Sequence, residues 1–389
     1  MLLEPLHHCA VLLHIGAFKT GTTALQHALF SSRENLLRHG VLHAGSGRNP
    51  IQAVLALRGS AAVAVGHGQP SEHAARNLAA QVAEAADQRV VVSSEFLSDA
   101  GPEAASRVVS ELGGDRVHVV ATARPLSKIL PSQWQQYVSN RMTVPYEEWL
   151  DAMLRQPPYK QPTPGFWNRH AIDELVGRWA ELVGPDRVTL MVLDERDRTW
   201  VLRRFEELLA LPAGLLELDP KASNRSMSFA ETELMRRLGE EAKARGWPDE
   251  VYRKVVAVGV GRHLRSQDRV VWDDSSIATP QWALDRAAEI GRAAAEKIAA
   301  SGVRVVGDLS ALGVRTVGSQ VDDARRADAL RTADAICEAV VAAVTSSGLL
   351  APAGAPAQTP TSASAVRAAR AWRKARRALG RLGAAKAGS

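Results

Sequence analysis

Cysteine is almost missing from this chain: Cys9 and Cys337 stand alone among 389 residues. Two cysteines make no disulfide framework, and no C-x-x-C or Cys/His spacing suggests zinc, so no metal is expected. Long apolar runs are missing too. Nothing reaches the ~18 residues a membrane span needs, and the stretch around Ala339–Val344 is too short. The opening MLLEPLHHCAVLLH has an early glutamate, no basic n-region and no clear cleavage site. It reads as the approach to a first strand and not as a signal peptide. A cytoplasmic protein is the expectation. Acid is absent from residues 361–389, which hold eight Arg and Lys. The whole chain carries +6, so the rest sits near −2. The basic character belongs to a tail, which argues against specific nucleic-acid binding by the body.

What is present is an ordinary globular composition, 46% apolar and 23% charged. Strand-like apolar runs alternate with helical periodicity. Strands are predicted at 10–16, 41–44, 89–94, 116–123 and 187–193. Helices are predicted at 22–38, 71–86, 102–112, 126–140, 146–154, 171–183 and 199–211. Pro131 predicts a kink in its helix or a later start, and 46–70 has no clear assignment. This alternation predicts an α/β fold, a parallel sheet flanked by helices. The domain reading is an α/β core over 1–228 and a mostly helical region over 229–350, broken by a short apolar run at 303–306. A Pro/Ala-rich linker and the basic tail follow over 351–389. The tail is helix-prone, with Trp372, Leu379 and Leu382 among arginines. Contact with an anionic membrane surface and plain solvation are its two readings.

The chemistry concentrates in VLLHIGAFKTGTTAL, residues 11–25. A buried strand stops at Gly16; a loop carrying Lys19 and Gly21 follows; Thr22 and Thr23 open a helix. Backbone N–H groups and the helix dipole at such a turn favour an anion. In a nucleoside-triphosphatase loop the lysine follows the second glycine. Here Lys19 precedes Gly21, so a different phosphate ligand is expected.

Gly16-Ala17-Phe18-Lys19-Thr20-Gly21-Thr22-Thr23 resembles the 5′-phosphosulfate loop of sulfotransferases that use 3′-phosphoadenosine-5′-phosphosulfate (PAPS). That family also has an arginine at a strand end and a serine two helical turns later, which read the 3′-phosphate. Arg124 and Ser132, in VHVVATARPLSKILPSQW, stand at that spacing. The resemblance implies a P-loop-like fold, PAPS as co-substrate and no metal. It implies cofactor contacts from Gly16, Lys19, Thr20, Gly21, Thr22, Thr23, Arg124 and Ser132. Lys19 would stabilise the leaving group. Glu95, ending the strand RVVVSS, has the place of the base, with His14 as its rival. The stretch Asn224-Arg225-Ser226 resembles a polar segment of bacterial members, and Asn224 and Ser226 are expected near cofactor or acceptor. Trp134 and Tyr137 follow Ser132 and would line an acceptor pocket.

The sequence departs from the cytosolic branch at Ala24, where those members have tryptophan, and lacks their C-terminal 3′-phosphate loop. The resemblance is closer to the bacterial and carbohydrate-type branch. The expected acceptor is a hydroxyl or amine of a carbohydrate, lipid or small molecule. Two alternatives stay open: a P-loop nucleotide or small-molecule kinase, and a non-catalytic nucleotide-binding protein. The strand predicted at 116–123 runs into Ala-Thr-Ala-Arg, with no aspartate to hold Mg²⁺, which weighs against the kinase.

Overall fold

The computed structural model describes residues 3–60, 68–219, 226–266, 275–318, 322–347 and 349–350. Its described residues divide into two compact units. Met1–Leu130, Leu150–Ser223 and Gln281–Val317 form the first; Pro131–Trp149, Asn224–Pro280 and Gly318–Ser389 form the second.

The first unit holds a six-stranded, all-parallel sheet: β1 Val11–Gly16, β2 Val41–His43, β3 Arg89–Ser93, β4 Val117–Ala123, β5 Val188–Val192 and β6 Arg304–Val306. Their order is β2-β3-β1-β4-β5-β6. β1, β3 and β4 are buried along nearly their whole length, as strands covered on both faces must be. Alternation sorts their side chains into two cores. Val11, Leu13 and Ile15 pack with Val92, Val119 and Leu190 on one face. Leu12 packs with Val91, Val120 and Met191 on the other. The helices over the first 210 residues of the chain are α1 Thr22–Ser31, α2 Arg33–Arg38, α3 Ile51–Leu57, α4 Glu72–Glu84 and α5 Pro102–Glu111. Then come α6 Leu126–Ser139, α7 Tyr146–Leu154, α8 Phe166–His170, α9 Ile172–Val183 and α10 Trp200–Leu209. Leu25, Leu29, Leu202 and Phe205 from α1 and α10 cover the Leu12 face. Val54, Leu78, Val108 and Trp179 from α3, α4, α5 and α9 cover the opposite one.

Along the rest of the chain run α11 Phe229–Ala244, α12 Asp249–Tyr252, a π-helical stretch Arg253–Val260 and α13 Gly261–Arg265. They are followed by α14 Gln281–Ala300 and α15 Asp323–Ser346. In the second unit Ser228 caps α11 and Glu231 returns a hydrogen bond to its backbone, a reciprocal capping box. The division between the units falls inside α6 and α7.

Four differences from the sequence-based expectation have physical causes. The predicted 22–38 helix is two helices, separated at Ser32. The Ser31 hydroxyl bonds the His27 and Ala28 carbonyls, and Ser32 Oγ donates to Leu215 O. Such side-chain bonds compete with the helical ladder. α3 occupies part of the unassigned stretch. α6 begins at Leu126, ahead of Pro131, and runs through it. Finally, 281–317 joins the first unit instead of a helical C-terminal region: β6 pairs with β5 through Leu190↔Val305. α14 lies so close to the Leu309–Gly313 turn that a Cβ on Gly291 would stand 1.9 Å from Leu312 O. The 351–389 linker and tail lie outside the described residues. No helix among the described residues is long and apolar enough to cross a membrane.

Candidate functional site

The connection after β1 is where the strand order reverses, since β3 and β4 flank β1 on opposite sides. In open parallel sheets, ligands bind at the carboxyl ends of strands at such a switch point. The loop Gly16–Gly21 stands there. Gly16 (φ 86°), Lys19 (φ 65°) and Gly21 (φ 79°) all take left-handed backbone conformations. For lysine this is an uncommon, strained state that the surrounding structure must enforce. Gly21 offers α1 no side-chain cap. Ala24 N–H donates to Gly21 O at 3.1 Å, while among the described residues no partner is seen for the N–H groups of Thr22 and Thr23, which suits an anion.

The loop is braced from below by a chain of buried polar groups. Thr20 Oγ1 donates to Ala17 O at 2.6 Å and lies 2.6 Å from Thr122 Oγ1. Thr122 Oγ1 lies 3.4 Å from His14 Nε2, and His14 Nδ1 lies 2.8 Å from Ser93 Oγ. The Thr20 hydroxyl is thus committed to the loop's own carbonyl, and only its backbone N–H remains for a phosphate. His14 has no exposure, and its ring meets Phe205 edge-on at 5.3 Å. Burial pushes its pKa down to about 3. Its position inside the sheet makes it a brace for the loop and removes it as a base for a bound acceptor.

Glu95 directly abuts the loop: a Cβ on Gly16 would lie 3.0 Å from Glu95 Cβ. Its Oε2 accepts from Gln26 Nε2 at 2.9 Å and from Asn49 Nδ2 at 2.8 Å. Among the described residues Oε1 has no hydrogen-bond partner. Two amide donors thus orient the carboxylate and leave one oxygen for a proton.

Arg124 leaves the end of β4, beside the loop. Its Nη1 donates to Lys19 O at 3.3 Å, and its Nε and Nη2 form a fork on Glu195, with Nε at 2.6 Å from Oε1. Glu195 follows β5, the next strand in the sheet, so parallel pairing brings the two residues together. Sequence reading found Arg124 but not Glu195.

Ser132 belongs to the second unit. So do Trp134 and Tyr137, which join an aromatic cluster there. Trp134 is fully buried, its ring 5.1 Å from that of Tyr146 and its Nε1 donating to Val144 O. Tyr137 faces Trp149 at 6.0 Å. Trp134 is a core residue and does not line the acceptor pocket proposed for it. Ser226 is exposed, and Asn224 lies outside the described residues.

A cavity of about 510 Å³ opens beside the loop, within the first unit. Ala17, Thr20 and Arg124 border it, with Met153, Trp167 and Ile172 among its apolar walls. α8 is fastened next to the loop by Arg169, whose guanidinium lies 4.4 Å over the Phe18 ring and forks onto Asp99 at 2.6 and 2.8 Å. His170, the next residue, lines the cavity with both ring nitrogens buried and lacking a hydrogen-bond partner. Burial first, then the charges of Arg169 and Lys19, push its pKa down to about 3. It is a neutral imidazole at physiological pH. Sequence reading missed Arg169 and His170, since Arg-His in FWNRHAIDEL carries no recognisable spacing. The described residues that cluster as potential metal ligands, His7, His8 and Cys9, are consecutive at the start of the chain.

No protein-family model, curated protein or solved structure matches this chain.

Proposed function

We propose that this protein is a PAPS-dependent sulfotransferase with a P-loop-like core. The observation that carries the reading is the contact between the two anion-binding motifs. Arg124 reaches the backbone of Lys19, and both motifs border one cavity at the switch point of the sheet. A nucleotide bearing anions at both its 5′ and 3′ positions needs two clamps at such short range. Gly16, Gly21, Thr22 and Thr23 would hold the 5′-phosphate through backbone and hydroxyl donors, and Arg124 would hold the 3′-phosphate.

In the transfer, an acceptor oxygen attacks sulfur while the bond between sulfur and the 5′-phosphate oxygen breaks. The electron pair stays on that phosphate oxygen. Lys19 and the α1 N-terminus meet the growing charge, the form of catalysis that supplies most of the rate in group transfer between oxyanions. Glu95 Oε1 takes the acceptor's proton. The acceptor class is a hydroxyl or amine of a carbohydrate, lipid or small molecule, reached from the cytoplasm. The basic tail would touch an anionic membrane surface.

The test is thermal stabilisation. Adenosine 3′,5′-bisphosphate without magnesium should raise Tm, and ATP with Mg²⁺ should do so far less. A larger shift with ATP–Mg²⁺ would decide for a kinase. Transfer of ³⁵S from labelled PAPS to an extract should fall roughly a hundred-fold or more in Lys19→Ala.

A further inference from the structure

We propose that His7, His8 and Cys9 form a three-ligand zinc site at the amino end of β1, the end of the strand away from the phosphate loop. The inference does not depend on the sulfotransferase reading.

The three residues are consecutive, so no zinc spacing announces them. In an extended segment successive side chains point to opposite sides, and three in a row would not meet. The chain turns here instead: Ala10 N–H donates to His7 O at 2.9 Å. The turn gathers one ring nitrogen from each histidine and the Cys9 sulfur within 4.8 Å of one another. Cys9 Sγ lies 3.3 Å from His7 Nδ1. Zn–S bonds of about 2.3 Å and Zn–N bonds of about 2.0–2.1 Å set tetrahedral sulfur and nitrogen ligands about 3.6 Å apart. That pair needs only a slight adjustment to share an ion. The His8 ring is exposed and its centroid is 4.2 Å from that of His7, so a change of rotamer brings it in.

The backbone beneath the ligands is fixed before any ion arrives. Leu6 N–H donates to Leu208 O at 2.8 Å. The Arg89 guanidinium donates twice to Leu6 O, at 3.0 and 2.8 Å, and Arg116 Nε donates to Cys9 O at 2.7 Å. Ala10 O accepts from Val90 N at 2.9 Å, which ties the exit of the turn to the sheet. A ligand set held this way loses little conformational freedom on binding.

The donor set selects the ion. A thiolate with two imidazoles suits zinc, whereas magnesium and calcium take oxygen ligands. The thiol proton passes to solvent as the Zn–S bond forms. Three protein ligands leave the fourth tetrahedral position to water. β1 is six residues long, so about 20 Å of strand separates this site from the phosphate loop.

Cobalt(II), a spectroscopic stand-in for zinc, tests this on the reduced, full-length protein. One equivalent should produce the intense visible bands of tetrahedral coordination and a sulfur-to-cobalt charge-transfer band, and added zinc should bleach both. Cys9→Ser should remove the charge-transfer band, and Cys337→Ser should keep it. His7→Asn and His8→Asn should each weaken cobalt binding roughly ten-fold or more, since loss of even an outer-shell partner costs that much. Protein unfolded in urea should bind cobalt roughly ten-fold more weakly than folded protein, because the turn no longer gathers the ligands. A wild type without the tetrahedral spectrum overturns the proposal. So does a charge-transfer band that survives Cys9→Ser, or equal affinity in the folded and unfolded chain.

Discussion

The Arg124 guanidinium donates to the carbonyl oxygen of Lys19 at 3.3 Å. Lys19 lies in the loop after β1, and Arg124 directly follows β4, the parallel strand paired with β1. That contact joins a loop and an arginine far apart in sequence into one surface, to which the proposed function assigns anion binding. The same guanidinium is held by Glu195, so a phosphate arriving at Arg124 must compete with a carboxylate.

Glu195→Gln should therefore tighten adenosine 3′,5′-bisphosphate several-fold, because a neutral amide releases the fork. Arg124→Lys should weaken it roughly ten-fold, since an ammonium cannot offer two parallel donors. A nucleotide without a 3′-phosphate should bind both variants like the wild type. Titration calorimetry reads all three. Weaker binding in Glu195→Gln would make the carboxylate part of the ligand site.

Glu95→Gln keeps the size of the side chain and removes its capacity to take a proton. Sulfate transfer should fall by roughly 10²–10⁴-fold, the usual share of a general base. The nucleotide-induced rise in Tm should remain. Undiminished turnover would take Glu95 out of the mechanism.

Thr122→Val removes the hydroxyl between Thr20 and His14. Unpaired buried groups then remain, at a cost of about 1–3 kcal/mol, and the Lys19 turn loses its brace. Urea unfolding should show the lower stability, and nucleotide affinity should fall with it. Full stability with normal affinity would mean that the buried chain carries no load.

Acid should destabilise the fold from about pH 6.5 downward. Burial lowers the pKa of His14 and His170 to about 3 and of His43 and His118 to about 4. Unfolded histidine titrates near 6.5. Below that pH the unfolded chain binds protons the folded chain refuses, so stability is present above about pH 6.5 and lost as pH falls toward the folded values. His43 is buried with neither ring nitrogen hydrogen-bonded, its ring 6.1 Å from Phe30. His43→Phe should flatten the fall of Tm between pH 6.5 and 4.5; an unchanged slope would mean that His43 is charged in the fold.

Much of the first unit was legible because its signals are local. The run VLLHIG needs burial on both faces, and the glycines around Lys19 permit the positive φ that the turn requires. β6 was less legible: three residues read as a strand only when β5, far upstream, supplies the partner. Trp134 stayed open between core and pocket because an aromatic on one helix face packs equally well in either. Its Tyr146 and Val144 contacts decide for the core.

By itself the sequence determined the parallel α/β character, the phosphate-suited loop and the arginine at a strand end. Each follows from hydrophobic period, glycine and charge within a dozen or so residues. Only the tertiary structure decided that Glu195 holds Arg124, that His14 braces the loop, and that His170 stands unpartnered in a cavity. Those pairings depend on strand order and helix placement, which bring together residues that no local pattern connects.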